Sequence, residues 1–472
     1  MHIYFMGICG TAMGNAALLL REAGHTVSGS DAGVYPPMSQ LLKDAGITIL
    51  PGYNPARLAS LQSELVVIGN AQTRGNPEVE WLLQTRALPW TSLPALLGER
   101  VLRNRRNLVI AGTHGKTTTT AISTHLLRAN GIRSGHLIGG VSLDNTPGAE
   151  MGDVDAPFVI EGDEYDSAFF DKRSKFLHYY PNILVVNNLE FDHGDIFRDL
   201  ADIQRSFHHV VRILPQDGFL LLNGDDANLE PLRHAPWTQV LSVGCGTGND
   251  LRIEDFRDGP HGSQWRLTWR GAVWETVTWS LNGLFNARNA AMGALAAALS
   301  QYPDDPTRLK LSALENFRGM RRRMELRGTR GDYHLLEDFA HHPTAIRETL
   351  VSLRSRYPGL PVTACFEPRS NTAVRHHFQD AFRDALALAD RVWIAPLHRP
   401  EAIPEEERLQ TDQLAADLRV RGIDAMAHES LTSLETALKN ETEADPIAPG
   451  VTVVFSNGAF GGILGRLSIC QP

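Results

Sequence analysis

The stretch NLVIAGTHGKTTTT, from Asn107 to Thr120, decides how the rest of the chain is interpreted. A short apolar run, Leu108 to Ile110, leads into a glycine-containing turn and then into a segment compatible with a helix. A phosphate site needs this order, because the backbone N–H groups of the turn and the positive end of the helix both face the anion. The motif is shorter than the usual P-loop, since Ile110 stands where the first glycine is expected. The pattern predicts a phosphate-binding turn, with a plain glycine turn as the alternative.

Length and composition narrow the class of protein. A chain of 472 residues is too long for one hydrophobic core and predicts several domains. Its 45 Lys and Arg against 54 Asp and Glu give a formal net charge of -9, which argues against a general nucleic-acid binder. The cysteines form no CxxC pair, which is typical of a reducing compartment and gives no structural zinc pattern. Because no apolar run approaches the length of a membrane span, we expect a cytoplasmic enzyme without nucleic-acid or membrane partners.

Strand-like and helix-like segments alternate along the chain, which favours an α/β fold with parallel sheets and helices on their faces. Basic stretches at 100–106 and 318–327 interrupt this alternation and mark boundaries. We therefore predict an N-terminal Rossmann-like domain (1–106), a central P-loop ATPase-like domain with a mainly parallel sheet (107–322) and a C-terminal Rossmann-like domain (323–472). The predicted strands include Ile3–Met6, Thr26–Ser30, Leu65–Ile68, Leu108–Ile110, Phe158–Ile160, Ile183–Val186, Phe219–Leu222, His334–Glu337, Val362–Phe366, Val392–Ala395 and Val451–Phe455, and Asn286–Leu299 reads as a helix.

A second glycine turn follows the first predicted strand. Its glycines, Gly7, Gly10 and Gly14, do not follow the GxGxxG pattern, because Cys9 occupies the second glycine position. A tight turn without any ligand is an equally good interpretation. Asp31 closes the next strand, which favours a nucleotide ribose or base nearby without establishing NAD.

Carboxylates gather where two predicted strands end beside the phosphate turn. The sequence EGDEYD follows the strand at Phe158–Ile160, and NNLEFDH follows the strand at Ile183–Val186. Ligands of open parallel sheets lie beyond the carboxyl ends of the strands, and carboxylates are ligands that Mg²⁺ prefers. EGDEYD alone could be an acidic surface turn. Two adjacent strand ends next to a phosphate turn favour a Mg²⁺-ATP site instead.

Five separated motifs, GTHGKTTT, EGDEYD, NNLEFDH, NARNAA and EDFAHHP, resemble the Mur ligases in order and spacing over nearly the whole chain. Mur ligases are ATP-dependent, amide-forming enzymes of peptidoglycan assembly whose three domains bind a UDP-sugar, ATP and the incoming amino acid or peptide. The resemblance implies an ATP-dependent ligase with ATP and Mg²⁺ as cofactors.

Within that family, several stretches are most similar to ligases of peptidoglycan recycling, which join UDP-N-acetylmuramate to the tripeptide L-alanyl-γ-D-glutamyl-meso-diaminopimelate. They are GSDAGVYPPMSQLL, GNAQTRGNPEVE, DEYDSAFFDKRSKF, LEFDHGDIF and EPRSNT. The sibling that adds L-alanine typically reads DESDASF where this chain has DEYDSAFFDKRSK, and the DNPR-type diaminopimelate motif of another sibling is absent. The alternatives are that L-alanine ligase and, from another class, a dinucleotide-dependent oxidoreductase.

The resemblance also implies roles for individual residues around ATP. Lys116 stabilises charge as the γ-phosphoryl group moves, Thr117, Glu161 and His193 match the family's Mg²⁺ positions, and His341 completes the catalytic set. The residues implied for ATP binding are Gly112, Thr113, His114, Gly115, Lys116, Thr117, Thr118, Asn286, Asn289, Arg323 and Asp338. Asn286 and Asn289 match the positions that meet adenine, and a helix N-cap at Asn286 is the alternative.

The residues implied for the other substrates lie in the first domain, at the pair Lys172 and Arg173, and at Arg369. They are Gly7, Gly10, Thr11, Ser30, Asp31, Asn70, Arg74, Lys172, Arg173 and Arg369. A solvated basic turn is the alternative for Lys172 and Arg173, and a surface arginine for Arg369. Several Mur ligases carry a carbamylated lysine after the EDH-type motif, but 204–209 contains no lysine, so a second metal site would need another construction. We expect small-molecule substrates and a monomer or weak homo-oligomer.

Overall fold

The computed structural model describes residues 1–144 and 146–470. The chain builds three large sheets in series, each covered by helices. This confirms the predicted α/β class with three domains; the exact domain bounds stay a prediction.

The first sheet has the strand order β3-β2-β1-β4-β5 with parallel neighbours. Because the order reverses direction beside β1, the turn after β1 lies at the switch point where such sheets bind ligands. The elements of this sheet are β1 (His2–Met6), α1 (Thr11–Glu22), β2 (Thr26–Asp31), α2 (Met38–Asp44), β3 (Thr48–Pro51), α3 (Pro55–Ser60), β4 (Leu65–Ile68), α4 (Pro77–Thr85), β5 (Trp90–Ser92) and α5 (Leu93–Leu97).

The central sheet begins with the strand that delivers the phosphate turn. Its elements are β6 (Asn107–Ala111), α6 (Lys116–Ala129), β7 (Gly135–Leu137), β8 (Ala149–Glu150), β9 (Phe158–Gly162), the separate hairpin β10 (Asp166–Ala168) and β11 (Asp171–Ser174), β12 (Pro181–Val186), α7 (Leu200–Val211), β13 (Phe219–Asn223), β14 (Gln239–Gly244), β15 (Leu251–Gly259), β16 (Gly262–Trp269), β17 (Ala272–Trp279) and α8 (Leu284–Gln301). The strand order is β17-β16-β15-β14-β13-β12-β6-β9-β7-β8, with β6 paired in parallel to both β12 and β9. The polar ends of β9 and β12 therefore flank the phosphate turn on its two sides.

The third sheet has the order β18-β19-β23-β20-β21-β22, and only β18 runs antiparallel to its neighbour among these strands. Its elements are β18 (Glu325–Arg330), β19 (Tyr333–Asp338), α9 (Pro343–Arg356), β20 (Val362–Phe366), α10 (Gln379–Leu386), β21 (Arg391–Ile394), α11 (Thr411–Val420), β22 (Asp424–Ala427), α12 (Leu431–Thr442) and β23 (Gly450–Phe455). The helix α9 leads from β19 back towards the central sheet.

Small residues bring α6 and α8 close together. Seven of the 18 residues of α8 are buried alanines, and a Cβ atom on Gly293 would lie 3.1 Å from both the Ser123 hydroxyl and the Thr119 carbonyl. The Ser123 hydroxyl lies 2.9 Å from the Thr119 carbonyl of its own helix and 3.2 Å from the Gly293 carbonyl of α8, so the contact is polar as well as tight. The helix that starts at the phosphate turn is thus fixed against the helix that carries Asn286 and Asn289.

The alternative N-cap at Asn286 is wrong. The helix α8 begins at Leu284 and Gly283 occupies the N-cap, so Asn286 lies inside the first turn and donates to the Asn282 carbonyl at 2.8 Å. Glycine serves at the cap because its φ is +92°, which disfavours a side chain. In the described part of the chain, no helix has both the length and the apolar character needed to cross a bilayer.

Candidate active site

The phosphate turn has the geometry of an anion cradle. Gly112 and Gly115 adopt φ values of +123° and +81°, which glycine alone adopts without strain. A Cβ on Gly112 would lie 3.0 Å from the backbone of Asn187 and Asn188, so the turn also leaves no room for a side chain there. Helix α6 starts directly after Gly115, which provides no side-chain cap. The N-terminal N–H groups of α6 therefore face a space suited to phosphate oxygens.

Lys116 folds back over its own turn. Its ammonium donates to the Gly112 carbonyl at 2.7 Å and to the Glu164 carboxylate at 3.0 Å. Although burial opposes the charge, nearby Glu164 and Asp163 raise the pKa of Lys116 above its usual value. Lys116 is thus held as a cation over the mouth of the cradle.

Thr117 in the first turn of α6 contacts Glu161 on β9, which brings two of the predicted Mg²⁺ positions together. The Thr117 hydroxyl donates to Glu161 Oε2 at 2.9 Å, and the backbone N–H of Gly139 donates to Glu161 Oε1 at 2.6 Å. Burial raises the pKa of the Glu161 carboxyl, so its ionised form needs a nearby cation. The pair therefore offers hard oxygen ligands at the edge of the phosphate turn.

His193, which was predicted as a Mg²⁺ position together with Glu161, contacts the carboxylate of Glu164. Its Nε2 lies 3.2 Å from Glu164 Oε1, and His193, Asp163 and Glu164 form a group able to hold a metal ion. Sequence analysis singled out the stretch EGDEYD but missed Asp163 and Glu164 as individual site residues. The spacing in sequence cannot show which carboxylate turns towards the histidine, because that depends on how β9 ends.

A cleft of about 270 Å³ lies between α8, the phosphate turn and α9. Asn286 and Asn289 both line it, but Asn289 is buried and its Oδ1 accepts from the Thr119 hydroxyl at 3.3 Å. A Cβ on Gly115 would lie 2.3 Å from that same Oδ1, so Asn289 packs against the phosphate turn. Arg288, which sequence analysis missed, lines the cleft too and faces Asp225 at 3.5 Å.

The third domain supplies Arg323, Asp338 and His341 to the same region. The Asp338 carboxylate accepts from the backbone N–H groups of Met324 and Ala340, each at 2.7 Å. The Arg323 guanidinium lies over the Phe339 ring, 4.9 Å from its centroid. Burial lowers the pKa of His341 to about 4, so its ring is neutral at neutral pH and able to accept a proton.

A larger cavity, about 570 Å³, joins the three domains. It reaches from Gly10, Thr11 and Asn70 in the first domain past the phosphate turn to Arg323 and His341 in the third. Lys116, Thr117, Glu161 and His193 also line it. The structure therefore brings predicted residues of all three domains to one connected space.

Other predicted residues of the first domain are engaged by the protein itself. Ser30 is buried and donates to Glu78 Oε2 at 2.7 Å. Asp31 accepts from the backbone N–H groups of Cys9 at 2.8 Å and Gly33 at 2.9 Å. Gly7 adopts a φ of +81°, and a Cβ there would meet the Gln72 amide at 2.8 Å. Arg74 is exposed and forms a two-point contact with Glu80, at 2.9 Å for each bond.

Lys172 and Arg173 have different surroundings from Arg369. Lys172 and Arg173 are exposed and pair with Asp166 and Asp171 at 2.7 Å and 2.8 Å. Arg369 instead lines a third cavity, about 540 Å³, which shares His193 and His341 with the larger one. His398 and Arg399, which no sequence motif indicated, line this third cavity as well.

The site residues fit ATP and Mg²⁺. A strand, a glycine cradle, an uncapped helix and a buried lysine match the charge and shape of a nucleotide polyphosphate. The hydroxyl of Thr117 and the carboxylate of Glu161 match the oxygen preference of Mg²⁺, whereas the imidazole of His193 suits that ion less well. The arrangement defines a P-loop nucleotide-dependent enzyme with a multi-domain reaction cavity.

Family models match all three parts of the chain. They are described as Mur ligase family, catalytic domain (residues 2–105), Mur ligase middle domain (110–298) and Mur ligase, glutamate ligase domain (322–457). The chain belongs to the Mur ligase family and is an ATP-dependent, amide-forming ligase. The alternative of a dinucleotide-dependent oxidoreductase is wrong.

The chain is 42% identical to the UDP-N-acetylmuramate–L-alanyl-γ-D-glutamyl-meso-2,6-diaminoheptandioate ligase of Escherichia coli K12, over 99% of this chain and 97% of that protein. A solved murein peptide ligase of Psychrobacter arcticus is 36% identical and superimposes with a TM-score of 0.72, covering 100% of this chain and 98% of the other. The UDP-N-acetylmuramate–L-alanine ligase of Limosilactobacillus reuteri is 33% identical over 84% of each chain. The resemblance inferred from the motifs is thus confirmed, and the tripeptide ligases match more of the chain at higher identity than this L-alanine ligase does.

Proposed function

We propose that this protein joins UDP-N-acetylmuramate to L-alanyl-γ-D-glutamyl-meso-diaminopimelate, using ATP, in peptidoglycan recycling. The observation that carries the proposal is the 42% identity to the E. coli tripeptide ligase over 99% of the chain. The cavity that connects all three domains supports it, because the reaction needs three substrates at one place. The nucleotide substrates place the proposed reaction in the cytoplasm.

The proposed chemistry activates a carboxylate, which is a poor electrophile. The lactyl carboxylate of the sugar attacks the γ-phosphorus of ATP, which gives an acyl phosphate and ADP. The α-amine of the tripeptide's L-alanine then attacks the acyl carbon, loses a proton and expels phosphate. The products are the amide, ADP and phosphate, so atoms and charges balance.

We place the ATP phosphates on residues 112–118 and the base in the cleft beside Asn286. Lys116 stays close to the transferred group and stabilises the charge that develops there. Asn289 acts on ATP through the phosphate turn, since its amide oxygen lies against Gly115 and Thr119. Arg323 and Asp338 complete the wall of the cleft from the third domain.

Thr117 and Glu161 would hold Mg²⁺ beside the phosphates. His193 lies close to this site and contacts the Glu164 carboxylate. When bound, the ion would neutralise phosphate charge and orient the reacting oxygen. Asp163 and Glu164 keep Lys116 charged and positioned.

We place UDP-N-acetylmuramate in the larger cavity, with its phosphates on the N-terminus of α1. Gly10 caps that helix without a side-chain hydrogen bond, and Gly10 and Thr11 both line the cavity. Asp31 already accepts from Cys9, so it acts by shaping the turn. Ser30, Arg74, Lys172 and Arg173 stay predictions, since each is bonded within the protein in this state.

We place the tripeptide in the third cavity, with its carboxylates near Arg369, His398 and Arg399. The tripeptide carries several free carboxylates, whereas L-alanine carries a single one, so a basic pocket favours the longer substrate. His341 is neutral and lies where this cavity meets the reaction cavity, so it is our candidate for the group that takes the amine proton.

The test supplies the tripeptide, L-alanine and L-alanyl-D-glutamate separately, each with ATP and UDP-N-acetylmuramate, and follows phosphate release. We expect turnover with the tripeptide and little with L-alanine. Preference for free L-alanine would contradict the proposal and favour the L-alanine ligase.

An Arg399→Ala variant sharpens that test. We expect its KM for the tripeptide to rise about tenfold, while the KM values for ATP and the UDP-sugar stay unchanged. The exposed Arg347→Ala serves as the control.

Sedimentation of the same samples tests the expected monomer or weak homo-oligomer.

A further inference from the structure

One carboxylate links the phosphate turn to the third domain. Glu190 lies in the loop after β12, and its Oε2 is 3.0 Å from His114 Nε2 in the phosphate turn. The same Oε2 is 3.1 Å from Nδ1 of His342, which occupies the N-cap position of α9. The other oxygen, Oε1, accepts from the Thr344 hydroxyl at 2.9 Å. We call Glu190, His114, His342 and Thr344 the Glu190 clasp.

Both ends of the clasp are fixed. The backbone N–H of Glu190 donates to the Thr113 hydroxyl at 2.9 Å, which ties the loop to the phosphate turn. On the other side, His342 Nε2 lies 3.2 Å from the Phe191 carbonyl, and Thr344 belongs to the first turn of α9. A shift of either domain would therefore break several bonds at once.

The hydrogen-bonding capacity of the groups shows that His114 and His342 act as donors to the Glu190 carboxylate. A carboxylate only accepts, so the contact between Glu190 Oε2 and His342 Nδ1 needs the ring to donate from Nδ1. A longer contact from the Thr344 N–H to Nδ1, 3.4 Å, competes for the same atom, but the shorter contact with Glu190 decides the arrangement. Although burial opposes ionisation, the bonds from His114 and His342 hold the pKa of Glu190 well below its usual range. Glu190 is thus ionised and carries three side-chain donors.

The clasp also places the wall of the ATP cleft. The first two turns of α9 carry Thr344, Ala345, Glu348 and Thr349, all of which line that cleft. Because the clasp holds the start of α9 against His114, the phosphate turn and the cleft wall share one anchor.

We infer that Glu190 is a positioning residue that registers the third domain against the phosphate turn, so that binding of ATP and domain closure depend on each other. The inference rests on the proposed ATP site. It assigns to Glu190 no contact with substrate; the carboxylate acts through His114 and α9.

The test compares Glu190→Gln and Thr344→Val with the wild type. Calorimetry measures binding of a non-hydrolysable ATP analogue, small-angle scattering measures the radius of gyration with and without it, and phosphate release gives kcat and KM. We expect the wild type to become more compact with the analogue. We expect both variants to compact less and to lose about tenfold in kcat, with a KM for the UDP-sugar within threefold of wild type.

Two further variants keep the test decisive. Thr344→Ser restores the hydroxyl and should restore kcat and compaction, which a change in packing alone would not do. The exposed Glu315→Gln controls for loss of a charge, and if Glu190→Gln does not fold, the Thr344→Val and Thr344→Ser pair decides.

Wild-type compaction and kcat in the Glu190→Gln and Thr344→Val variants would overturn the inference. So would a Thr344→Ser variant that behaves like Thr344→Val. Failure of the wild type to bind the ATP analogue would instead contradict the proposed function, so the two failures are distinguishable.

Discussion

The molecule contains two glycine turns that each follow the first strand of a parallel sheet and open a helix, but their surroundings differ. The turn at 112–115 is overlaid by Lys116 and flanked by Glu161, Glu164 and Glu190. At the turn after β1, the nearest charged group that bonds to it is Asp31, which accepts from Cys9. A glycine turn therefore supplies only a shape, and the charges that neighbouring strands deliver decide whether it is suited to reactive phosphates.

The largest effect should come from removing the cation of the central turn. We expect Lys116→Ala to lower kcat about 10³-fold, because the variant loses the side-chain cation that stabilises the charge of the transferred phosphoryl group. Phosphate release at saturating substrates measures this. Lys439→Ala, a surface lysine paired with Glu435, is the control, and full turnover of Lys116→Ala would remove the distinction between the two turns.

The Glu161 carboxylate beside the phosphate turn should determine the Mg²⁺ concentration that turnover requires. We expect Glu161→Gln to raise the Mg²⁺ concentration that gives half-maximal turnover about 10- to 100-fold, because the amide is a weaker ligand than the carboxylate. A Mg²⁺ titration of wild type, Glu161→Gln and the exposed Glu429→Gln measures it. An unchanged titration for Glu161→Gln would show that the ion binds elsewhere.

The N-terminal turn should respond in affinity alone. We expect Asp31→Asn to raise the KM for UDP-N-acetylmuramate about tenfold, since the amide cannot accept from both Cys9 and Gly33 as a carboxylate does. The kcat and the KM for ATP should stay near wild type, with the exposed Asp44→Asn as control. A loss in kcat like that of Lys116→Ala would mean that both turns serve the chemistry.

The smallest expected effect is on the pH dependence of the free energy of unfolding, to which His341 of the third domain contributes. Folded His341 stays neutral down to about pH 4, whereas its ordinary pKa is 6.5. Between these values the unfolded chain binds more protons, so this histidine makes the free energy of unfolding fall as the pH is lowered. Urea unfolding at pH 7 and pH 5 should show a weaker fall for His341→Gln, by up to about 1.4 kcal/mol per pH unit. The exposed His261→Gln should leave the fall unchanged, and an equal fall in all three proteins would refute the neutral ring.

The sequence was sufficient for the sheets and the main charged groups, because buried strands and turn glycines follow from local pattern. The contact between Thr117 and Glu161 could be predicted, since β6 and β9 are neighbours and end at the same edge. The partner of His193 could not, because its choice between Glu161 and Glu164 depends on the path of the chain after β9. The hydrogen bond from the Cys9 backbone to Asp31 could not be predicted either. The sequence does not show whether an aspartate at a strand end binds a ligand or the protein backbone.

Contacts between domains were the least accessible from sequence. His342 stood within a recognised motif, yet nothing local shows that its ring meets Glu190 and lies 4.8 Å from the ring of His114, centroid to centroid. His398 and Arg399 follow β21 without any motif, and only the folded third domain places them beside Arg369. Long-range placement of this kind depends on the packing of whole sheets.

The close contact of α6 and α8 at Gly293 sets the distance between the two helices that border the proposed ATP site. In the proposed ATP site, α6 begins at the phosphates and α8 carries Asn286 beside the base, so the small residue at position 293 sets how far apart the two helices hold these ends of ATP. A larger side chain at position 293 would lengthen that span without touching the nucleotide. We therefore expect the residue at position 293 to influence which nucleotides the proposed site accepts, although it lies outside the cleft lining.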